Sequence, residues 1–289
     1  MNGIIVIDKP KGRTSHDMVY FIRRMTGIKK VGHTGTLDPD ATGVLPLCIG
    51  NGTKVSDMLL ESDKCYRAEL ILGKTTDTQD LSGNVLEEKE VNLSEEEIVK
   101  AAESFVGEIE QIPPMYSAIK QDGKKLYELA RKGIEVERKP RRVTINEITI
   151  VKIDKNTVTI DVDCSKGTYI RTLCSDIGEK LGCGGCMGNL RRTKAGMFKI
   201  DESHTVEEIE KLKEKGKLGD IILPVDSVFM KYPKIQLNEK QVKSVTNGIR
   251  MTYKGVEGQT YRVYDNNNEF LCISKIEDGK LRLVKSFWN

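Results

Sequence analysis

Alternating and helically spaced hydrophobic residues divide the chain into short strands and helices. Apolar and polar residues alternate over 66–73, 143–153 and 157–164, which predicts three strands that are each buried on one face. Apolar residues at helical spacing follow Ser15 and Ser94, two residue types that favour the N-cap position, so a helix is predicted after each of them. This mixture of elements permits an α/β protein.

Three further helices are predicted downstream of these elements. One is a short basic helix over 124–132, and the others cover 169–181 and 206–215. The segment 216–224 begins with a glycine and ends with a proline, two residue types that interrupt regular structure. It therefore predicts a boundary in the chain.

The pattern changes after about residue 232. Short β-like pieces at 261–264, 270–276 and 281–284 are separated by turns rich in Asn, Gly and Asp. Such spacing is typical of small β-rich units. The sequence therefore predicts a second domain over 232–289, behind a larger domain over 1–230.

Charge is distributed unevenly along the 289 residues, although the formal net charge is only +3. The net charge is −7 over 87–110, +5 over 120–142 and +4 over 232–289. A polyanion would be drawn to the basic segments if the fold places them on one face. On charge alone, an ordinary mixed surface explains the sequence equally well.

Several classes of protein and site are disfavoured by composition. No apolar run approaches the ~20 residues of a membrane span, and the first residues lack the features of a signal peptide, so a cytoplasmic protein is expected. The seven cysteines then predict reduced thiols. Cys183 and Cys186 form a CxxC pair, but a zinc site needs two further ligands and the chain has three histidines. We therefore expect no metal there.

Residues 32–46 carry the strongest chemical signal. They combine three glycines, two prolines, three threonines, a histidine and two aspartates, and an apolar run follows at 44–49. Gly and Pro disfavour a helix, and the apolar run argues against a solvated linker, so a loop of fixed shape is predicted. Asp38 is the candidate for chemistry, because Pro39 restricts it to an extended conformation.

The sequence of 32–46, Gly-His-Thr-Gly-Thr-Leu-Asp-Pro-Asp-Ala-Thr-Gly-Val-Leu-Pro, resembles the catalytic motif of the TruB-type tRNA pseudouridine synthases. Five further segments are similar to motifs of that family: 9–15, 64–66, 76–83, 165–173 and 190–193. The resemblance covers roughly residues 3–200. One departure is Cys186-Met187, where members of the family often have a histidine followed by a hydrophobic residue.

The resemblance implies a fold and a function. The fold would be a mixed, mostly antiparallel sheet with flanking helices over 1–230, an RNA-contacting insertion at about 107–142, and a PUA-like RNA-binding domain over 232–289. The function would be isomerisation of one uridine in the T-loop of tRNA, position 55, to pseudouridine by base flipping. No cofactor is expected, because the isomerisation is redox-neutral. We expect tRNA as the partner of a monomer that needs neither a membrane nor another protein.

The resemblance assigns catalytic roles to three residues. Asp38 would act covalently, either at the pyrimidine ring or at the ribose, and the sequence does not choose between them. Tyr66 would stack on the target base and help to remove its C5 proton. Arg171 would keep Asp38 ionised and aimed, and would contact phosphate when RNA enters.

The resemblance also implies residues that surround the substrate. His33 would support the flipped-out base, Tyr169 would be an active-site aromatic, and Leu190 would pack on the base. Lys9 would flank the site, and Asp77 would orient Arg171 or the base. Positively charged candidates for contacts to the RNA backbone are Lys124, Lys125, Lys132, Arg191 and Arg192.

Other interpretations remain open at this point. An isolated Asp-Pro is usually a turn, a strand tyrosine is usually half-buried, and a helical arginine is usually solvated. A dyskerin-like subunit that depends on guide RNA would share the catalytic core, and a non-catalytic RNA-binding or chaperone protein would share the charge. A glycoside hydrolase is less favoured, because Asp40 is too near Asp38 to be its second carboxylate.

Overall fold

The computed structural model describes residues 1–121 and 123–288. Asp122, in the predicted insertion, and Asn289, the last residue of the predicted tail, lie outside the described residues. The helices are α1 (Ser15–Thr26), α2 (Ser56–Leu60), α3 (Glu95–Glu103), α4 (Leu126–Ala130), α5 (Ile170–Lys180), α6 (Val206–Glu214) and α7 (Glu239–Thr246). Short 3-10 helices cover Gly50–Val55, Ile200–Glu202, Leu218–Ile221 and Val225–Phe229.

The strands fall into two larger sheets and two hairpins. They are β1 (Gly3–Lys9), β2 (Val31–His33), β3 (Thr42–Ile49), β4 (Lys64–Leu72), β5 (Lys74–Thr76), β6 (Val85–Glu88), β7 (Gly107–Gln111), β8 (Lys120–Gln121), β9 (Lys124–Lys125), β10 (Arg141–Asp154), β11 (Thr157–Cys164), β12 (Gly185–Ala195), β13 (Phe198–Lys199), β14 (Lys234–Gln236), β15 (Met251–Thr252), β16 (Thr260–Tyr264), β17 (Phe270–Glu277) and β18 (Lys280–Ser286).

The larger sheet is mixed and mostly antiparallel, which confirms the predicted fold class. Its main path runs β1-β3-β12-β4-β11-β10-β7, and within the described residues it contains nine strands because β2 pairs with β3 and β13 with β12. The contact between β12 and β3 is parallel and short, with Arg191 opposite Thr42 and Arg192 opposite Gly43. This contact brings the end of the predicted catalytic loop against β12.

Helices cover the larger sheet through separate hydrophobic clusters. Ile5 and Ile7 on β1 pack with Val19 and Ile22 of α1 and with Ile209 of α6. A second cluster lies under α3 and α5 and includes the inward residues of β4 and β11, such as Leu70 and Ile160. Period-two burial on the strands and the apolar stripes of the helices therefore meet as the sequence pattern predicts.

The second sheet, β14-β16-β17-β18-β15, packs against the first part of the chain. Phe270 and Phe287 from this sheet meet Phe229, with ring centroids 6.0 and 5.6 Å from it. They share one hydrophobic cluster with Ile4 and Val6, which face away from α1 on β1. The β-rich tail is thus joined to the larger sheet by buried aromatic contacts.

Two predicted element boundaries are wrong. Thr14, not Ser15, caps α1: its side chain accepts from the Asp17 amide at 3.0 Å, and Asp17 accepts from the Thr14 amide at 2.8 Å. Ser15 is instead buried. The basic helix predicted over 124–132 is shortened to α4, because Lys124 and Lys125 pair with β8.

The segment predicted as a boundary is tied into the larger sheet. Leu223 and Ile4 exchange backbone hydrogen bonds of 2.8 Å in both directions. Leu218, in the same segment, is buried in the cluster under α1 and α6. The chain therefore begins the second sheet only after this segment has packed against the first sheet.

Among the described residues, no helix is long and apolar enough to cross a membrane.

Candidate active site

The segment from Thr34 to Ala41 connects β2 to β3 and presents Asp38, and we call it the catalytic loop after the role that its motif predicts. The strand after it begins with a close approach of two backbones. Gly43 has a φ of +103°, and a Cβ at this position would lie 2.2 Å from the carbonyl oxygen of Arg192. Glycine is required there because a side chain would force β3 away from β12.

Arg192 holds the catalytic loop from inside the protein. Its side chain is 1% exposed, and it donates from Nε to the Val44 carbonyl at 2.7 Å. Its Nη atoms donate to the carbonyls of Gly35 at 3.2 Å and Thr36 at 3.5 Å. The prediction that Arg192 contacts the RNA backbone is therefore wrong. The guanidinium satisfies loop carbonyls that the sheet leaves unpaired.

Lys9 holds the other side of the loop. It is fully buried, and its Nζ donates to the carbonyls of Arg13 at 2.6 Å, Pro10 at 2.9 Å and Pro39 at 3.0 Å. Burial lowers the pKa of Lys9 to about 8, against the charges of Asp40 and Asp38, which raise it. Lys9 was predicted to bind substrate, but its ammonium is turned toward the backbone and fixes the residue after Asp38.

Ser15 gives the loop a third attachment. Its Oγ accepts a hydrogen bond from the Leu37 amide at 2.8 Å and donates to the Leu37 carbonyl at 3.2 Å. Leu37 itself is buried in the cluster beneath α5. The residues on both sides of Asp38 are therefore anchored, which leaves its carboxylate little freedom to move.

Asp38 forms an ion pair with Arg171, as the resemblance implies. The distance from Arg171 Nε to Asp38 Oδ2 is 3.2 Å; the arginine side chain is 6% exposed and that of Asp38 is 45% exposed. Arg171 is the second residue of α5, closer to the helix start than the expected full turn. A direct phosphate contact from Arg171 would require its displacement, so that expectation does not fit the structure.

Arg171 joins three segments that are far apart in the chain. Besides Asp38, its guanidinium donates to the Tyr116 carbonyl at 2.8 Å and the Thr78 carbonyl at 3.4 Å, and it lies 3.5 Å from Asp80 Oδ2. One buried cation therefore fixes the catalytic loop, the loop between β5 and β6, and the start of the insertion. This sharing explains why the residue must be an arginine with several donors.

Asp80 is a residue of the site that the sequence did not indicate. Its Oδ1 accepts from the Thr78 hydroxyl at 2.7 Å, the Ser82 amide at 3.0 Å and the Ser82 hydroxyl at 2.5 Å, so Oδ2 faces Arg171. The predicted residue, Asp77, instead accepts from the Asn84 backbone and side-chain nitrogens at 2.8 and 3.0 Å. The expectation that Asp77 orients Arg171 is therefore wrong, and its contact with the base stays a prediction. Thr78 and Ser82, two positions before and after Asp80, carry hydroxyls that can fix its carboxylate, and this was the feature of the sequence that could have identified Asp80.

Opposing charges set the ionisation of Asp38. Burial raises the pKa of Asp38 above its ordinary value, the Arg171 guanidinium lowers it, and the negative charge of Asp80 raises it again. The 45% of the side chain that stays exposed is open to a substrate. Arg171 is therefore the group that most strongly keeps the carboxylate in the charged form that a nucleophile requires.

Tyr66 and Leu190 line the same region from neighbouring strands. Tyr66 is half-buried on β4 and packs against the cluster that contains Leu37, Ala41 and Leu190. Burial raises the pKa of Tyr66, while the nearby Arg192 guanidinium lowers it. The phenol therefore keeps its proton near neutral pH, and the predicted stacking of a base on its ring fits this environment.

His33 ends β2 beside the loop and is neutral. Burial lowers the pKa of His33, and the charges of His16 and Arg192 lower it further. Its Nδ1 accepts from the Gly35 amide at 3.4 Å, which places the proton of the neutral ring on Nε2. His33 is thus prepared to donate one hydrogen bond, in agreement with contact to RNA rather than with a charged role.

Tyr169 is positioned by a buried glutamine that the sequence did not indicate. Gln111, at the end of β7, accepts from the Tyr169 amide at 2.8 Å and donates to its carbonyl at 3.0 Å. This pair fixes the N-cap residue of α5, directly before Ile170 and Arg171. Tyr169 is half-buried, and burial raises the pKa of its phenol.

The remaining candidates for RNA contact differ in exposure. Lys124 and Lys132 are exposed, and Lys125 is half-buried with its Nζ 3.2 Å from the Tyr127 hydroxyl. Arg191 is partly exposed and pairs with Asp8 at 2.7 Å. The structure places the three lysines around α4, apart from the two arginines on β12.

The cysteines are free thiols. Cys183 and Cys186 are both buried at the start of β12, with Cys183 Sγ 3.3 Å from the Gly184 carbonyl oxygen. Among the described residues, no cluster of three or more His, Cys, Asp or Glu could hold a metal ion.

Comparison with known families agrees with this site. The TruB family pseudouridylate synthase N-terminal domain matches residues 23–170. The tRNA pseudouridylate synthase B C-terminal domain matches residues 171–230, and the C-terminal domain of pseudouridine synthase II TruB matches residues 233–283. The three matches together span the catalytic loop, α5 and most of the second sheet.

Whole-chain comparisons extend over nearly all of the sequence. The chain is 47% identical to tRNA pseudouridine synthase B of Clostridium kluyveri over 292 aligned residues, which cover 99% of this chain and 100% of that protein. It is 54% identical to tRNA pseudouridine synthase B of Alkaliphilus oremlandii over 251 residues, which cover 87% of this chain and 83% of that protein.

Solved structures show the same architecture at lower identity. A chain from a crystal structure of a Cbf5-Nop10-Gar1 complex superposes with a TM-score of 0.73 at 28% identity, covering 99% of this chain and 85% of that one. A chain from an H/ACA RNP bound to a substrate RNA containing 2'-deoxyuridine gives a TM-score of 0.72 at 26% identity, with 99% and 85% covered. The protein belongs to the TruB family of pseudouridylate synthases.

Proposed function

We propose that the protein isomerises a single uridine in the T-loop of tRNA, position 55, to pseudouridine. The observation that carries this proposal is the ion pair between Asp38 and the buried Arg171 at 3.2 Å, in a loop anchored on both sides. The relatives at 47% and 54% identity, both tRNA pseudouridine synthases B, support tRNA as the substrate.

The reaction requires one bond to break and another to form on the same base. The N1–C1′ glycosidic bond breaks, the base rotates, a C5–C1′ bond forms, and the C5 proton is lost while N1 gains one. A fixed carboxylate can bond covalently to the sugar or to the base and prevent the fragments from separating. Asp38 supplies that group, and Arg171 keeps it ionised and aimed.

Neighbouring residues serve the flipped base in this proposal. Tyr66 stacks on the ring, and its phenol is neutral near C5 because burial raises its pKa. Leu190 packs on the base, and the Nε2 proton of His33 contacts RNA in the space that the base vacates. Flipping costs a few kcal/mol, which these contacts offset.

The proposed substrate also suggests where and how the enzyme works. Lys124, Lys125 and Lys132 lie around α4 on the insertion and are proposed to contact phosphates of the T-stem. We propose a cytoplasmic enzyme that acts as a monomer without an obligatory protein partner. A guide-RNA-dependent subunit is less favoured, because the chains from H/ACA complexes share only 26–28% identity with this one.

Tritium release from unmodified tRNA transcript labelled at uridine C5 tests the proposal. The wild type should release about one equivalent per tRNA with no guide RNA present, and Asp38→Asn should release none while still binding tRNA. Asp40→Asn is the matched control, since Asp40 is an exposed aspartate two positions away. It should retain activity within about threefold.

The possible outcomes separate the alternatives. Release by Asp38→Asn would refute the role of Asp38, and equal loss in Asp40→Asn would point to a carboxylate pair instead. No release by the wild type, with tRNA binding intact, would favour a guide-dependent subunit or a non-catalytic RNA-binding protein. Mapping of the product must place pseudouridine in the T-loop, and light scattering of the free enzyme tests the monomer.

A further inference from the structure

A row of aromatic and basic side chains lies on α1, outside the site described above; His16 and Tyr20 are exposed and Arg23 is half-buried. His16, Tyr20 and Arg23 occupy positions i, i+4 and i+7 and therefore share one face of the helix. We call these three residues the α1 strip. The opposite face of α1, with Val19 and Ile22, is buried against the larger sheet. The strip is thus the outward face of a helix that the core holds rigidly.

The aromatic ring at the centre of the strip is held in place although it is exposed. Tyr20 is 57% exposed. The His16 ring meets it edge-on, with centroids 4.7 Å apart at 86°, and the Arg23 guanidinium lies 5.4 Å from its centroid. An exposed tyrosine usually keeps its rotamer freedom, so these contacts preorganise a π-surface that remains open to a ligand.

The strip adjoins the elements that carry the catalytic loop. Arg23 Nη2 donates to the carbonyl of Val31 at 3.4 Å, and Val31 begins the strand that ends at His33. Ser15, the residue before His16, makes the two hydrogen bonds to Leu37 that anchor the loop. His16 is also close enough to His33 for its charge to add to burial in lowering the pKa of that residue. The helix that carries the strip is therefore attached both to β2 and to the loop that presents Asp38.

The charge around the strip matches a polyanion. Residues 11–30 contain six Lys and Arg and one acid, Asp17. One of the six, Arg24, lies 3.5 Å from Glu210 of α6 and stacks over Phe21, away from Tyr20. Arg13, Lys29 and Lys30 are exposed. Aromatic rings interleaved with positive charge are the surface that single-stranded RNA takes, by stacking of bases and neutralisation of phosphates.

We propose that the α1 strip binds the RNA strand that continues from the target nucleotide, with Tyr20 stacking on an unpaired base and Arg23 neutralising phosphate. This inference rests on the proposed function and assigns to the same site a second contact surface. It is separate from the lysines around α4, which belong to the insertion. The enzyme would thus hold the loop of its substrate on both sides of the flipped base.

Binding of unmodified tRNA transcript to the catalytically inactive Asp38→Asn protein tests the inference. Added Tyr20→Ala should weaken the Kd about tenfold, because one stacked base is lost. Tyr20→Phe keeps the ring and should bind like the parent, whereas Tyr20→Leu keeps apolar volume without the ring and should resemble Tyr20→Ala. Arg24→Ala is the matched control, since Arg24 is paired with Glu210, and should leave the Kd within about twofold.

A Kd for Tyr20→Ala within about twofold of the parent would overturn the inference. A parental Kd for tRNA in Tyr20→Leu would also overturn the inference, because the tyrosine would then contribute apolar volume and not base stacking. Thermal unfolding of each variant separates lost contact from lost fold, and Tyr20→Leu, which removes the ring but keeps apolar volume, carries the test if Tyr20→Ala is unstable. If the wild type released no tritium but Tyr20→Ala still weakened tRNA binding, the proposed function would fail and the strip would stand.

Discussion

The catalytic loop and the basic hairpin formed by β8, β9 and α4 are both rich in polar residues, but they are held in opposite ways. The loop is fixed by two buried cations, Arg192 and Lys9, whose donors are bonded to backbone carbonyls. The hairpin has strands of two residues each, and Leu126 is its buried residue within α4. Lys120 and Lys124 of the hairpin are exposed, and Lys125 is half-buried.

This difference follows from what each region is proposed to do. A carboxylate that forms a covalent bond must be held to within a fraction of an ångström, so its surroundings are buried and directional. A phosphate contact depends mainly on charge, which acts over several ångströms and tolerates movement. The buried cations therefore lie where we propose the reaction, and the exposed cations lie where we propose that RNA phosphates are attracted.

The strongest test of the comparison removes a buried cation. Arg192→Met should lower the free energy of unfolding by about 3 kcal/mol, because the carbonyls of Gly35, Thr36 and Val44 lose their donor. Arg191→Met, one residue away and paired with Asp8 at 2.7 Å, should cost less than about 1 kcal/mol. Denaturant unfolding measures both. Equal losses would show that the burial of Arg192 carries no special role.

A smaller but still large effect is expected where the buried cation touches the reacting group. Arg171→Lys should lower the single-turnover rate about 100-fold, because an ammonium cannot reach Asp38, Asp80 and the Tyr116 carbonyl together. The Kd for tRNA should stay within about threefold, since the residue is buried. Weaker binding with an unchanged rate would instead assign Arg171 to the RNA.

Exposed cations should affect binding alone. Replacing Lys124, Lys125 and Lys132 by Ala should weaken tRNA binding about tenfold and reduce the slope of log K against log salt by about 2, with the saturated rate unchanged. Lys211, Lys213 and Lys215 at the end of α6 are exposed and form the control, because their replacement removes the same net charge. An equal change of slope in the control would show that tRNA is attracted by the overall charge of the protein and not by the lysines around α4 in particular.

The smallest expected effect concerns a buried carboxyl on the helix that carries Arg171. Burial and the charge of Glu179 raise the pKa of Asp176 from 3.8 to about 6. Its neutral form favours folding, and this contribution is lost as the pH rises through about 6. Asp176→Asn should therefore stabilise the protein at pH 8 by about 1 kcal/mol more than at pH 4. Thermal unfolding at the two pH values measures it, and a pH-independent difference would contradict the assignment.

The periodicity of apolar residues predicted the strands well where the alternation was long, but it failed at the short basic segment over 124–132. The hairpin of β10 and β11 and the strands β16, β17 and β18 lie where alternation placed them. The basic helix was wrong because Lys124 and Lys125 pair as a strand with β8 across the turn. Charge alone carries no periodicity, so a pairing partner decided the conformation.

The candidate site was predicted unevenly, for a physical reason. Asp38 and its pair with Arg171 follow from the motif, and the structure joins them at 3.2 Å. Asp77 and Asp80 lie in one short motif, and only the fold of the loop decides which one faces Arg171. Gln111 was missed because a buried amide has no pattern in sequence.

Most of the elements, the fixed loop around Asp38 and the family to which its motif is similar can be inferred from the residues alone. These depend on local backbone preference, on the periodicity of burial and on residues that are adjacent in the chain. The tertiary structure decided the direction of each charged side chain. Arg192 and Lys9 resemble surface cations in sequence, but Arg192 is enclosed where β12 meets β3, and Lys9 is enclosed where β1 ends opposite Gly43 of β3. A buried carbonyl needs a donor, so these cations turn inward to the loop.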